Sequence, residues 1–236
     1  MSDLIMQLAG VIQRDIDGLK DVAQNVANAN TPGYRSSRAF SLYSPSAGGS
    51  GVEQGLDSIY MGSSLNTQGG ALQHSGRATD LALSGDAWFG LQTPDGAMLT
   101  RDGRFHVDSA GYLVSAAGYP VMGEEGPIQV SGGLLEIDSQ GKVQVEGQFV
   151  GQLSLLRVDN PEAMASHGDG LYSAASPLLV AKDVVLHQGM LERSNAAMGD
   201  EMVRMMAVSR HVESMQRALS AYDGMLDSGI NQLGKD

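Results

Sequence analysis

The chain is 236 residues long, with a formal net charge of −12, 31 glycines, few aromatics and no cysteine. The acidic balance argues against nucleic acid as a partner, because phosphates need basic stripes, and it disfavours an anionic membrane surface. The missing thiols exclude disulfides and thiolate metal sites, and no apolar run approaches the roughly 20 residues of a membrane-spanning helix, so no membrane insertion is expected.

The first predicted element is a helix over 2–29. Ile5, Leu8, Ile12, Leu19, Val22 and Val26 step by three, four and seven, as an apolar seam requires. Asp15 breaks the seam, Ile16 sits beside it, and Ser2 or Asp3 can cap the start. The opening "MSDLIMQLAGVIQRD" has no basic n-region and no uninterrupted apolar stretch. It does not read as a Sec signal peptide, so any export is expected to use another route.

This helix runs into "NVANANTPGYR", Asn25 to Arg35. Asn28 or Asn30 can take the left-handed conformation that ends a helix. Pro32 forbids continuation and biases Thr31 to an extended shape, and Gly33 permits the turn. Tyr34 offers a flat apolar ring with a polar tip. Local physics therefore predicts a fixed stop and turn, and no chemistry. Asn25 and Asn28, three apart, are expected to share a face and to hydrogen-bond the backbone of an adjacent helix. Tyr34 is expected to anchor the exit on the C-terminal helix or on a neighbouring subunit.

Over 36–78 the periodicity fades. "SPSAGGSG" (Ser44–Gly51) and "GSSLNTQGGALQHSG" (Gly62–Gly76) read as an extended Gly/Ser-rich linker with short strands. Over 79–189 the period falls to two, with turn signals at "TPDG" (Thr93–Gly96), "RDGR" (Arg101–Arg104), "DSAG" (Asp108–Gly111) and "DSQG" (Asp138–Gly141). These spacings predict antiparallel hairpins. Trp88-Phe89 reads as core more readily than as an aromatic contact face. The five histidines share no metal-ligand spacing, and the Asp-Gly pairs lack a calcium-loop pattern. Ser139 to Lys142 spells S-x-x-K, but on a turn between strands and without companion motifs.

The helical period returns after Leu191. Met198, Met205, Val212, Leu219, Leu226 and Leu233 recur every seven residues. Val208, Met215 and Tyr222 follow three residues after their partners, and Met202 and Ile230 widen the stripe. Such a repeat predicts one long helix with a coiled-coil-type face. The fold expectation is therefore α+β. Residues 1–35 and 190–236 form a terminal helical layer, 36–78 a linker, and 79–189 a central antiparallel β domain. A lone helix cannot bury its own seam. Either the termini pack together or they wait for neighbouring subunits.

The stretch Asn25–Arg35 resembles the N-terminal signature of the bacterial flagellar rod and hook family, N-[LIV]-A-N-x-x-T-x-G-[FY]-[KR], matched by Asn25, Ala27, Asn28, Thr31, Gly33, Tyr34 and Arg35. Thr79–Gly123 is similar to that family's central β segment, and Leu191–Leu226, entered through Ser194-Asn195, to its C-terminal helix. Within the family, length and "GYPVMGEEGPIQV" (Gly118–Val130) favour a proximal-rod subunit over a distal-rod one.

The resemblance implies a structural, non-enzymatic subunit that polymerises through its terminal helices into a hollow drive shaft carrying torque from motor to hook. The implied partners are other copies of itself, other rod subunits and the flagellar type III export apparatus. The implied location is the periplasm-spanning rod of the basal body. Candidate assembly residues are Asn25, Asn28, Thr31, Pro32, Gly33 and Tyr34 at the stop, with Met198, Met205, Val212, Leu219 and Leu226 on the seam. No catalytic, cofactor or metal residues are assigned. The alternative from a different class is a soluble β-domain carbohydrate binder or hydrolase with helical dimerisation arms, which no nucleophile–base constellation supports.

Overall fold

The computed structural model describes residues 2–44, 58–181 and 183–233, with side chains over 10–40, 62–181, 183–222 and 224–225. The chain divides into two compact units: Met1–Ala27, Ser37–Ser63 and Ala197–Asp236 form the first, Asn28–Ser36 and Ser64–Ala196 the second. The expectations about Ser44–Gly51 beyond Ser44, and about the side chains of Ser2, Asp3, Ile5, Leu8, Leu226 and Ile230, fall outside the described residues.

The first unit holds helix α1 (Ser2–Ala27), strand β1 (Ser37–Ser44), strand β2 (Ser58–Leu65) up to Ser63, and helix α2 (Met198–Leu233). The strands pair with each other, and α2 packs onto α1. Asp200 and Glu201 sit in the first turn of α2, where carboxylates favour the positive end of the helix dipole. On α1, Val22 is buried while Ile12, Leu19 and Val26 are half-buried and Ile16 is exposed. On α2, Met205, Val208, Val212, Met215, Leu219 and Tyr222 are half-buried, so the seven-residue stripe is the less exposed face. Asp15, the break in the α1 seam, meets α2: its Oδ2 lies 2.7 Å from His211 Nδ1. A polar residue on an otherwise apolar seam fixes register between helices at some cost in stability.

The second unit is antiparallel β. In chain order its strands are β3 (Leu72–His74), β4 (Leu81–Ser84), β5 (Trp88–Thr93), β6 (Gly96–Thr100), β7 (His106–Val107), β8 (Leu113–Val114), β9 (Met122–Gly123), β10 (Gly126–Pro127), β11 (Leu135–Ile137), β12 (Lys142–Val145), β13 (Gln148–Gln152), β14 (Leu155–Val158), β15 (Ala165–Gly168), β16 (Leu171–Ser173), β17 (Leu178–Val180), β18 (Val185–Gln188) and β19 (Met190–Glu192). The largest sheet runs β15-β16-β6-β5-β14-β17, and β11-β12-β13 form a three-stranded sheet. In the large sheet Phe89 stands opposite both Thr100 and Leu155.

Period-two alternation in β5 sends neighbours to opposite faces. Phe89 and Leu91 join a core with Leu81, Phe105, Leu113 and Val143, while Trp88 joins Leu99, Val158, Met164 and Tyr172 on the other side. The rings lock edge to face, Phe89 on Phe105 at 5.0 Å and Trp88 on Tyr172 at 5.1 Å between centroids. Trp88-Phe89 is thus core, as its pattern suggested.

Of the turn signals, "TPDG" closes the β5–β6 hairpin, "DSAG" joins β7 to β8 and "DSQG" joins β11 to β12. The fourth differs. "RDGR" is no hairpin turn: Arg101 is 3% exposed, Gly103 accepts the backbone N–H of Leu81 at 3.0 Å, and Arg104 bridges to Asp80. A Cβ on Gly103 would lie 1.6 Å from the Leu81 carbonyl oxygen, so this glycine serves close backbone approach and not reversal of the chain.

Candidate functional site

Helix α1 ends at Ala27, and the chain turns through 28–33. Thr31 donates from its backbone N–H to the Asn28 carbonyl at 3.0 Å and from its hydroxyl to Asn28 Oδ1 at 3.2 Å. Among the described residues, positive φ outside glycine occurs only at Glu146 and Asp169. Neither Asn28 nor Asn30 is therefore left-handed; the expected left-handed asparagine is replaced by Gly33, at φ 69°. Gly33 donates to the Glu192 carbonyl at 2.8 Å and sits against the Arg101 backbone. Pro32 is half-buried just before it.

Asn25 is fully buried, and its amide uses both ends on one residue of the exit strand. Nδ2 donates to the Ser37 carbonyl at 2.9 Å, and Oδ1 accepts the Ser37 N–H at 3.0 Å. These bonds tie the Asn25 amide to the exit strand, as the Asn28 side chain is tied to Thr31. A primary amide carries a donor and an acceptor side by side, so it can satisfy a backbone C=O and N–H together.

Asn195 does the same kind of work in the second unit. Its Oδ1 accepts the Ser36 N–H at 2.7 Å, and its Nδ2 donates to the carbonyls of Asn66 at 3.0 Å and Gln68 at 2.8 Å. Tyr34 is buried with Ala29 and Ala196, and its carbonyl accepts the Asn195 N–H at 3.3 Å.

Below this turn lies a buried ionic cluster that the sequence reading did not single out. Glu192, on β19, is 2% exposed. Its Oε1 lies 2.8 Å from Arg35 Nη2 and accepts the Gly70 N–H at 2.8 Å; its Oε2 lies 3.2 Å from Arg101 Nη1. Arg35 also donates to the Gln68 carbonyl, and its own backbone N–H donates to the Tyr172 hydroxyl at 3.1 Å. Arg101 donates to the carbonyls of Leu83 and Gly85 and lies over the Trp88 ring at 5.5 Å. Burial pulls its pKa down to about 10, against the pull of Glu192. The signature's last residue is thus tied through one carboxylate to the β core and to the strand that leads into α2. The faint signal was charge in apolar company, at Arg101 after "GAMLT" and at Glu192 within "GMLE".

The seam residues are distributed differently. Met205, Val212 and Leu219 lie on the half-buried stripe of α2, but Met198 is 42% exposed. Met202, Val203 and Met206 are exposed beside it at 48%, 68% and 58%. Spaced by four, Met198, Met202 and Met206 form one apolar row. A concavity of about 270 Å³ lies beside the stop, lined in part by Ala29, Pro32, His74, Leu191 and Arg193.

Among the described residues no group of three or more His, Asp or Glu is placed to hold a metal. His187 bonds the Ser84 hydroxyl at 3.0 Å and His167 the Ser173 hydroxyl at 2.8 Å. In the S-x-x-K stretch, Asp138 Oδ1 accepts the N–H groups of Gln140 and Lys142 at 2.9 Å, an ordinary Asx turn.

Comparison with known proteins places this geometry. Residues 187–233 match the family model "Flagellar basal body rod FlgEFG protein C-terminal", and residues 82–145 match "Flagellar hook protein FlgE/F/G D1 domain". The flagellar basal-body rod protein FlgF of Rhizobium meliloti is 33% identical, over 92% of this chain and 91% of its own length. That of Caulobacter vibrioides is 31% identical, over 95% and 94%. The flagellar basal-body rod protein FlgG of Bacillus subtilis is 32% identical, over 89% and 91%.

Proposed function

The chain belongs to the flagellar basal-body rod protein family, in its FlgF type, and is a structural subunit of that rod; from this premise we propose that it assembles by joining its terminal helices to those of neighbouring subunits. The observation that carries the proposal is the apolar row Met198, Met202 and Met206, with Val203, left exposed on α2. Flexible thioether side chains adapt to slightly different neighbours, which suits a subunit that meets both its own copies and other rod proteins.

In this reading the terminal helices form a coiled-coil-like inner layer in the assembled rod. The β unit carries contacts between subunits, and the shaft so formed transmits torque to the hook. The stop residues Asn25, Asn28, Thr31, Pro32, Gly33 and Tyr34 set the direction in which the chain leaves α1. Met205, Val212, Leu219 and Leu226 form the seam between helices. The rod position is proximal, and the subunit reaches it through the flagellar type III export apparatus.

The test is incorporation. Met202→Glu combined with Met206→Glu adds charge to the exposed row without touching the half-buried stripe. Basal bodies from cells producing this variant are expected to lack the subunit, while the purified variant keeps the buried environment of Trp88, the only tryptophan, in fluorescence. Normal incorporation would refute assembly through this face.

A further inference from the structure

The second unit carries an acid-rimmed groove with apolar side chains in its lining, remote in sequence from both terminal helices. It encloses about 380 Å³ between the β9–β10 turn and strand β13. Its apolar lining includes Pro127, Ile128, Phe149 and Val150, and its rim carries Glu124 and Glu125, both exposed. Phe149 is 64% and Val150 38% exposed, far more than a core aromatic or valine tolerates.

Strand β13 is also the edge of its three-stranded sheet. An edge strand offers unpaired backbone donors and acceptors to another extended segment. β13 reads "QFVGQ", with no charge and no proline to guard the edge; its pairing with β12 is interrupted by a bulge, and the carbonyl of its last residue, Gln152, already accepts the Glu124 N–H at 2.9 Å. The acidic pair stands on the neighbouring turn, where it would attract a cation carried by the incoming strand.

We infer that this groove takes strand β1 of a second copy of the chain, by edge pairing with β13. The sequence of β1, "SRAFSLYS", supplies the complementary chemistry. Arg38 and Phe40 are both exposed and, two apart on a strand, project to the same side. Phe40 is 40% exposed although its ring lies against Gly62, where a Cβ would come within 2.6 Å of it. In the complex the Phe40 ring packs on Phe149 and Val150, and the Arg38 guanidinium meets Glu124 and Glu125. In a chain of net charge −12, a cation beside an exposed aromatic on an extended strand is an uncommon combination. The inference rests on the rod-subunit reading, since it supplies a contact between neighbouring copies.

The absence of cysteine allows a clean test. Two single-cysteine versions, Phe40→Cys and Phe149→Cys, are produced together in flagellated cells, and basal bodies are isolated under mild oxidation. The expected result is a disulfide-linked heterodimer well above the homodimers of either version. Glu124→Arg with Glu125→Arg in the Phe149→Cys chain should cut the heterodimer about tenfold, and Arg38→Glu in the Phe40→Cys chain should restore it. If Phe40→Cys prevents incorporation, Arg38→Cys, which projects to the same side of the strand, replaces it. Both versions present in basal bodies with no excess heterodimer would overturn the groove while leaving the rod reading intact. A heterodimer yield indifferent to both charge reversals would overturn the assignment of Arg38 to the acidic rim. Absence of both single-cysteine versions and of the unaltered chain from basal bodies would overturn the rod reading itself.

Discussion

Gly33 lies so close to Arg101 that a Cβ built on it would stand 2.2 Å from the Arg101 carbonyl carbon and 2.4 Å from the Asp102 nitrogen. The contact is backbone against backbone, so no rotamer change relieves it. With φ at 69° the position also strains any other residue. Gly33→Val is therefore expected to cost about 3 kcal/mol or more, combining backbone strain with overpacking. Urea unfolding followed by Trp88 fluorescence measures it, and an unchanged midpoint would show that the turn can move aside.

Glu192 bonds two buried guanidiniums, Arg35 and Arg101, through one carboxylate. Removing its charge leaves both cations unpaired. Glu192→Gln is expected to lose about 3–5 kcal/mol, the usual cost of breaking a buried pair. Glu162→Gln, on an exposed position, is the control and should change little. Equal effects in the two variants would contradict a central role for the cluster.

Tyr172 is fully buried, and burial raises its phenol above the usual value of 10.0, outweighing the Arg35 N–H that donates to it. An acid whose pKa is higher folded than unfolded adds stability below its unfolded pKa and loses it as pH rises towards the folded one. In an alkaline ultraviolet titration, one of the seven tyrosines should therefore ionise late, as stability falls above pH 10. Tyr172→Phe should remove the late step and, by taking away the acceptor of the Arg35 N–H, cost about 1 kcal/mol. A late step that survives the substitution would assign it to another tyrosine.

Asn25 holds Ser37 by both amide ends. Asn25→Leu keeps the branched shape of the side chain but leaves the Ser37 N–H and carbonyl without those bonds, at about 1–3 kcal/mol. The Ser37 amide should exchange with solvent far faster in the variant than in the unaltered chain. Equal protection would mean that the clamp is redundant.

How much of this was legible in the sequence depends on the range of the interaction. The α+β class came from periodicity, since period two and period seven report which face of an element is buried. The stop after α1 was legible because Pro32 and Gly33 act on their own backbone. Its mechanism was less so: proline and asparagine at 28–32 suggested a left-handed asparagine, whereas the structure uses Gly33, whose need is set by Arg101, 68 positions later. "RDGR" looked like a turn for the same reason, as its glycine answers to the distant Leu81. The Arg35–Glu192–Arg101 cluster joins three remote segments and leaves only isolated charges in the sequence. Met198 continues the seven-residue repeat yet is exposed, because a repeat records a helix face and not what covers it.

The terminal helices are expected to acquire their full burial only in the rod. On α2, the residues from Met198 to Tyr222 are mostly half-buried or exposed, with Glu201 the only fully buried one among the described side chains. Hydrogen exchange across 203–222, compared between the dilute purified chain and intact basal bodies, tests the claim most directly. Fast exchange is expected in the free chain, strong protection in the rod, and slow exchange around Phe89 and Leu113 in both. Strong protection of α2 already present in the dilute chain would contradict it.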